Sequence, residues 1–194
     1  MKNSLAVIGA VIAILSGVPY MIDVIRHKSK PNIVSWFTWT LLTAIATAAA
    51  FAEHAPHAAL LTLGSTISTG MVVLLGLKFG IAKLTRFDAL FQAGAVVGLV
   101  IWLLLSSPTA AIVITMIIDF IAALPTIRHG WLKPGEETWQ TFALSGVAAA
   151  FVFASLVTYT FADLAFPVYL FFANSLIVAI IIYRRKQKGI SLTR

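Results

Sequence analysis

Seven stretches of this chain run for about 20 residues with almost no charged side chain, and nothing else in the sequence narrows the fold as sharply. They fall at about 4–22, 33–52, 58–77, 89–106, 109–127, 138–157 and 164–183. A stretch of that length crosses a bilayer as a helix. Of the 194 residues, 60% are hydrophobic and 11% charged, where a soluble domain carries roughly 25% charged. So much apolar side chain does not fit inside one soluble core, and lipid is the expected solvent. The uncharged run from Ala89 to Ile118 is too long for one span, and the turn signal Ser106-Ser107-Pro108 divides it. Lys2 and the apolar run behind it resemble a signal peptide, but Asn3 to Ile22 exceeds a usual signal core. It reads as a first span retained in the mature protein.

Charge then orients the spans. Arg26, Lys28 and Lys30 lie between the first and second, Lys78, Lys83 and Arg86 between the third and fourth, and Arg128 and Lys133 between the fifth and sixth. Arg184, Arg185, Lys186, Lys188 and Arg194 form a basic tail. The alternate loops carry Glu53, His54, His57 and Asp163, and Lys2 is the one basic residue on that side. The positive-inside rule puts the N-terminus outside and the C-terminus in the cytoplasm, and a multi-pass protein of the cell inner (plasma) membrane is expected. The net charge of +7 therefore speaks for lipid head groups and orientation, and no nucleic-acid partner is expected. The chain has no cysteine, which excludes disulfides, thiolate metal sites and thiol nucleophiles.

One phrase occurs twice. Ile25-Arg26-His27, Lys30-Pro31 and Ser35-Trp36 return as Ile127-Arg128-His129, Lys133-Pro134 and Thr138-Trp139, and each copy follows a proline, Pro19 or Pro125. The recurrence predicts an internal duplication: residues 1–80 as a first three-helix repeat, 81–107 as a linker helix, and 108–194 as a second repeat with the basic tail. The expected fold is an all-α integral membrane protein of seven spans, 3+1+3, with two parallel repeats. Pro19 and Pro125 each lack an N–H and crowd the preceding turn, so each is expected to kink or end its helix and to serve as a hinge.

That plan, with Pro19-Tyr20, Lys30-Pro31 and the run Ser35-Trp36-Phe37-Thr38-Trp39, resembles the PQ-loop superfamily, which includes the SWEET sugar transporters and the KDEL receptors. The resemblance covers nearly the whole chain in topology. It implies two three-helix bundles facing each other across a cavity near mid-membrane. In the SWEET-like pattern an asparagine on the third helix of each repeat and aromatics on the second wall that cavity. Here the resemblance assigns those places to Asn174, Trp36, Trp39, Trp139 and Phe142, while the third span offers Ser65-Thr66-Ile67-Ser68-Thr69 and no asparagine.

Asp119 is the sharpest single residue, a lone carboxylate in the fifth span. Placing one at the bilayer centre costs about 2.5–3.5 kcal/mol on insertion scales, so it should face the bundle interior. Its functional readings are a proton relay, a sodium ligand or the counter-ion of a cationic substrate; its structural reading is a packed, hydrogen-bonded acid. Asn174 either binds a polar substrate or joins helices. Thr62, Ser65, Thr66 and Thr69, and Thr40, Thr43 and Thr47, form hydroxyl stripes that let helices approach or that line a wet cavity. Trp36, Trp131 and Trp139 read as interfacial anchors, and Trp39, a turn deeper, as the ligand candidate. Glu53, His54 and His57 are a weak metal signal, and no metal or cofactor is expected. Glu136 and Glu137 suit the positive end of the sixth span. The residues expected to bind substrate are Asp119, Asn174, Trp39, Thr66, Ser68 and Phe142. The expected function is alternating-access transport of a small polar solute, a sugar, amino acid or vitamin-like molecule, by a monomer or homo-oligomer. The alternative is a receptor or scaffold on the same fold. No nucleophile–base pair points to an enzyme.

Overall fold

The computed structural model describes residues 2–29, 31, 33–79, 85–86, 89, 93 and 108–192, and every regular element among them is helical. The helices are α1 (Lys2–Ser16), α2 (Val18–Ile25), α3 (Ile33–Ala52), α4 (Pro56–Phe79), α5 (Pro108–Leu132), α6 (Trp139–Ser155) and α7 (Phe161–Gln187), with a 3₁₀ turn at Pro134–Glu136. Five stretches are long and apolar enough to cross a membrane: α1 with α2, α3, α4, α5 and α7. α6 is apolar but has 17 residues. The fourth expected span, 89–106, lies outside the described residues except for Ala89 and Ala93, and Asp88 and Gln92 also lie outside them. Outward faces are apolar: Val7, Val11, Leu15, Phe37, Leu74, Leu77 and Phe172 are all exposed, as lipid-facing positions are.

The two prolines act differently. Pro19 sits in the first turn of α2, and the helix is interrupted at Gly17, two residues before it. A Cβ on Gly17 would lie 2.5 Å from Ser68 Oγ, so the interruption is also a close approach of backbones. Pro125 lies inside α5, which continues to Leu132. It removes one backbone bond, and neighbouring helices tolerate that in an apolar setting. A further proline, Pro167, is carried inside α7.

The repeated phrase consequently has two local structures. In the first copy α2 ends at Arg26, and His27 takes a left-handed φ of 54°. His27 N–H donates to Val24 O and Lys28 N–H to Asp23 O, the paired closure of a Schellman motif. In the second copy His129 is still helical, and the chain turns later, through Pro134–Glu136.

α4 packs along both α1 and α3, and α7 packs along both α5 and α6. Across the middle, α1 packs on α6 and α3 on α5. The six elements thus close a ring, α1–α4–α3–α5–α7–α6, in which exchanging the two triples preserves the contacts. Hydrogen bonds fix the two ends of the ring. At one end Asp23 accepts from Thr138 Oγ1 at 2.6 Å, and Ser29 Oγ donates to the Glu136 carbonyl at 3.0 Å. At the other, Ser155 Oγ lies 3.1 Å from His57 Nδ1, and Thr109 donates to Glu53 at 3.2 Å. The first end collects Arg26, Lys28, Arg128, Lys133 and the basic residues after Tyr183; it is called the basic end below. α4 finishes at the basic end, where Phe79 lies edge-on to His27, and α5 begins at the opposite one.

Arg185 departs from the expected exposed tail. It is fully buried, and its guanidinium donates to the carbonyls of Pro134 (2.9 Å), Glu137 (2.8 Å) and Ser191 (3.0 Å). A buried guanidinium is tolerated where its fork meets fixed acceptors, and here it ties the chain after α7 to the α5–α6 connection. Glu136 and Glu137 precede α6 rather than open it. They bracket the His129 ring, Glu137 Oε1 at 2.7 Å from Nδ1 and Glu136 Oε2 at 3.1 Å from Nε2.

Candidate functional site: a central cavity

A cavity of about 70 Å³ opens where the six ring elements meet. On that measure a water needs about 10–15 Å³, so a few waters or a small solute fit. α1 contributes Ser16; α3 contributes Trp36, Trp39 and Thr43; α4 contributes Ser65, Ser68 and Thr69; α5 contributes Asp119; α6 contributes Thr141, Phe142 and Ser145; α7 contributes Asn174. Five of the six residues expected to bind substrate, Asp119, Asn174, Trp39, Ser68 and Phe142, therefore line one space. Thr66 does not. Its hydroxyl donates to Thr62 O at 2.8 Å and to Thr43 Oγ1 at 3.0 Å, on the side of α4 that faces α3. Each residue turns a helix by about 100°, and Ser65, Ser68 and Thr69 fall within one arc that Thr66 overshoots.

An aromatic chain borders the cavity. Tyr20 and Trp36 rings lie 4.6 Å apart, Trp36 and Trp39 meet edge to face at 5.2 Å, and Trp39 and Phe142 at 6.4 Å. Such tilted contacts suit the ring quadrupoles. Trp36 is buried in this chain, which corrects its reading as an interfacial anchor. Trp139 is half-buried and donates its indole N–H to Leu192 O at 3.2 Å, whereas Trp131 is exposed and stacks under Arg184.

Asp119 is the charged residue on the wall, and among the described residues no Lys, Arg or His shares it. Its Oδ2 accepts a hydrogen bond from Tyr169 Oη at 2.5 Å, and its backbone carbonyl accepts from the Trp39 indole at 3.4 Å. Tyr169 on α7 is the partner that reading the sequence missed. A phenol among the phenylalanines of the first half of α7, five residues before Asn174, was the available signal. Thr141 and Ser145 were also missed, although their spacing of four on α6 matches that of Ser65 and Thr69 on α4.

Most donors on the wall are already engaged. The hydroxyls of Thr43, Ser65 and Thr69 donate to the carbonyls of Trp39, Leu61 and Ser65, one turn back on their own helices, and Ser16 donates to Ala13 O. Asn174 gives an amide N–H to Leu170 O at 2.8 Å. A hydroxyl whose proton is engaged offers only lone pairs to the cavity. Thr141 Oγ1 is buried without a hydrogen-bond partner among the described residues. The cavity thus presents a carboxylate, hydroxyl lone pairs and aromatic rings.

His54 and His57 do not converge on a metal-like site. His57 contacts Asn3 and Ser155, Glu53 accepts from Thr109, and no cluster of metal-ligating side chains occurs among the described residues. His54 occupies the left-handed position after α3, where its N–H donates to Phe51 O. The chain matches no protein-family model, no curated protein and no solved structure.

Proposed function

We propose that this protein is a small-solute membrane transporter that works by alternating access between two three-helix bundles, α1–α4 and α5–α7. The observation that carries the reading is the polar cavity at the junction of all six described ring elements. A carboxylate in an apolar bundle is costly and is retained where it handles a solute, an ion or a proton. The equal packing order of the two triples supports a duplicated unit of the PQ-loop kind, with pseudo-equivalent halves rocking about a shared site. α4 ends at the basic end and α5 begins at the other, which supports a linker crossing between them and seven spans in all. The basic end faces the cytoplasm in this reading, and the N-terminus lies outside.

Reconstituted proteoliposomes test it. A panel of small polar solutes, including sugars, amino acids and amines, is offered outside, and internal accumulation or counterflow is followed against protein-free vesicles. At least one solute is expected to enter faster than lipid leak, with saturation. Saturable binding of a solute that never crosses would replace transport with the receptor reading on the same fold.

A further inference from the structure

We infer that the solute is a small organic cation with N–H donors, a protonated primary amine of a few heavy atoms, whose ammonium rests on Asp119 and whose carbon body lies against Trp39 and Phe142. The inference rests on the transport reading and gives it a substrate class. Three observations converge on it. The wall carries a carboxylate and no cationic side chain, so the site lacks one positive charge. Tyr169 holds only Oδ2 of Asp119, and a single neutral hydrogen bond does not supply that charge. The hydroxyls of Ser16, Thr43, Ser65 and Thr69 donate to backbone carbonyls, and of these Thr43 and Thr69 also accept from Thr66 and Thr40, so what Ser16 and Ser65 have left for a solute is acceptor capacity.

Each feature selects against another class. A sugar carries no charge to meet the Asp119 carboxylate. An anion would meet the Asp119 carboxylate. A bare metal ion gains nothing from aromatic rings, whereas an ammonium is attracted to their faces, most strongly to Trp. A quaternary ammonium carries no N–H for the hydroxyl lone pairs, so a primary amine fits better. The cavity volume of about 70 Å³ limits the size to the scale of methyl- or ethylammonium, or ethanolammonium.

The test is a titration of purified full-length protein with ethylammonium chloride, followed by tryptophan fluorescence and thermal shift, with ethanol, sodium chloride and glucose in parallel. Ethylammonium is expected to give a saturable signal that ethanol and sodium chloride do not. Asp119→Asn keeps the shape of the residue, and should lower the affinity by about a hundredfold, the scale on which a buried charge loses its partner. Phe142→Leu retains the carboxylate and is expected to weaken binding by about tenfold, the value of a desolvated cation–π contact. If Asp119→Asn fails to fold, Phe142→Leu decides. An equal response to sodium chloride alone overturns the inference in favour of an inorganic-ion site. Saturable binding of glucose, or unchanged ethylammonium binding in Asp119→Asn, also overturns it, while transport of another solute would leave the transporter reading standing. If no solute crosses in the proteoliposome panel, the transporter reading falls; ethylammonium binding then still stands or falls on the titration.

Discussion

The two triples of helices share a packing order but divide the polar chemistry unequally. In the first, polarity is a ladder of hydroxyls sealed between α3 and α4. Thr47 donates to Thr62 at 2.9 Å, Thr66 to Thr43 at 3.0 Å, and Thr40 to Thr69 at 3.0 Å. In the second, it is concentrated in a few groups, the Asp119–Tyr169 pair and Asn174 at the cavity, and Arg185 at the basic end. Interhelical hydroxyl bonds within one triple hold two helices as a unit. In the second triple Tyr169 joins α7 to α5, but through a carboxylate that also lines the cavity. The contrast teaches that the first half is built as a stiff wall and the second carries the chemistry that a solute would meet.

Arg185 gives the largest expected effect. Its guanidinium satisfies three carbonyls around the α5–α6 connection, and no such clamp occurs in the first half among the described residues, where α4 ends at Phe79 with the Lys78 ammonium over its ring. Arg185→Met should destabilise the protein by about 3–5 kcal/mol, because several buried acceptors lose their donor together. Arg184→Met, which removes an exposed stack on Trp131, should cost about 0.5–1 kcal/mol. Thermal denaturation in detergent measures both. Similar losses for the two would show that burial of Arg185 matters little.

Glycine contacts sharpen the comparison next. A Cβ at Gly64 on α4 would lie 2.7 Å from Ala10 O and 2.9 Å from Ala13 Cβ, both parts that cannot swing away. At Gly146 on α6 the nearest atom would be Asn174 Cβ at 3.8 Å. Gly64→Ala should therefore cost about 1–3 kcal/mol by overpacking. Gly146→Ala should be neutral or stabilising by about 0.5–1 kcal/mol through helix propensity. Equal responses would mean that the first triple is no tighter than the second.

Smaller still is the hydroxyl ladder. Thr47→Val removes one bond between α3 and α4, and bonds of this kind average about 0.6 kcal/mol in membrane bundles. Cavity binding should be untouched, since Thr47 does not line the cavity and its hydroxyl faces Thr62, one turn beyond the lining residue Thr43. A change in solute affinity larger than the change in stability would break the division between wall and site.

Part of this was legible in the sequence. The second span was expected at about 33–52 and α3 occupies Ile33–Ala52. An apolar run bounded by Lys30-Pro31 and Glu53 leaves a helix little room to shift. Asp119 and Asn174 were picked out because polar side chains are rare in their runs, and Trp39 because it lies a turn deeper than Trp36, features visible without a structure; Ser68 and Phe142 came from the places that the PQ-loop resemblance implies. What failed depended on contacts across the ring. Tyr169 lies 50 residues beyond Asp119, and nothing local marks them as partners. Thr66 differs from its cavity-lining neighbours only by the pitch of one helix. Trp36 looked like an anchor because it stands one turn from a helix start, yet the Tyr20 and Trp39 rings pack against it and it is buried. Arg185 looked like tail because its acceptors are backbone atoms, which a sequence does not display.

The central claim is that the cavity around Asp119 is reached in turn from both faces of the membrane. The chain has no cysteine, so a single Ser145→Cys variant gives an unambiguous reporter on the cavity wall. Membrane-impermeant thiol reagents are applied to proteoliposomes of known orientation, from outside or from within, with and without ethylammonium. The account predicts labelling from either face and protection by the bound solute on both. Labelling from one face only, unchanged by any solute and by the Asp119→Asn substitution, would contradict it.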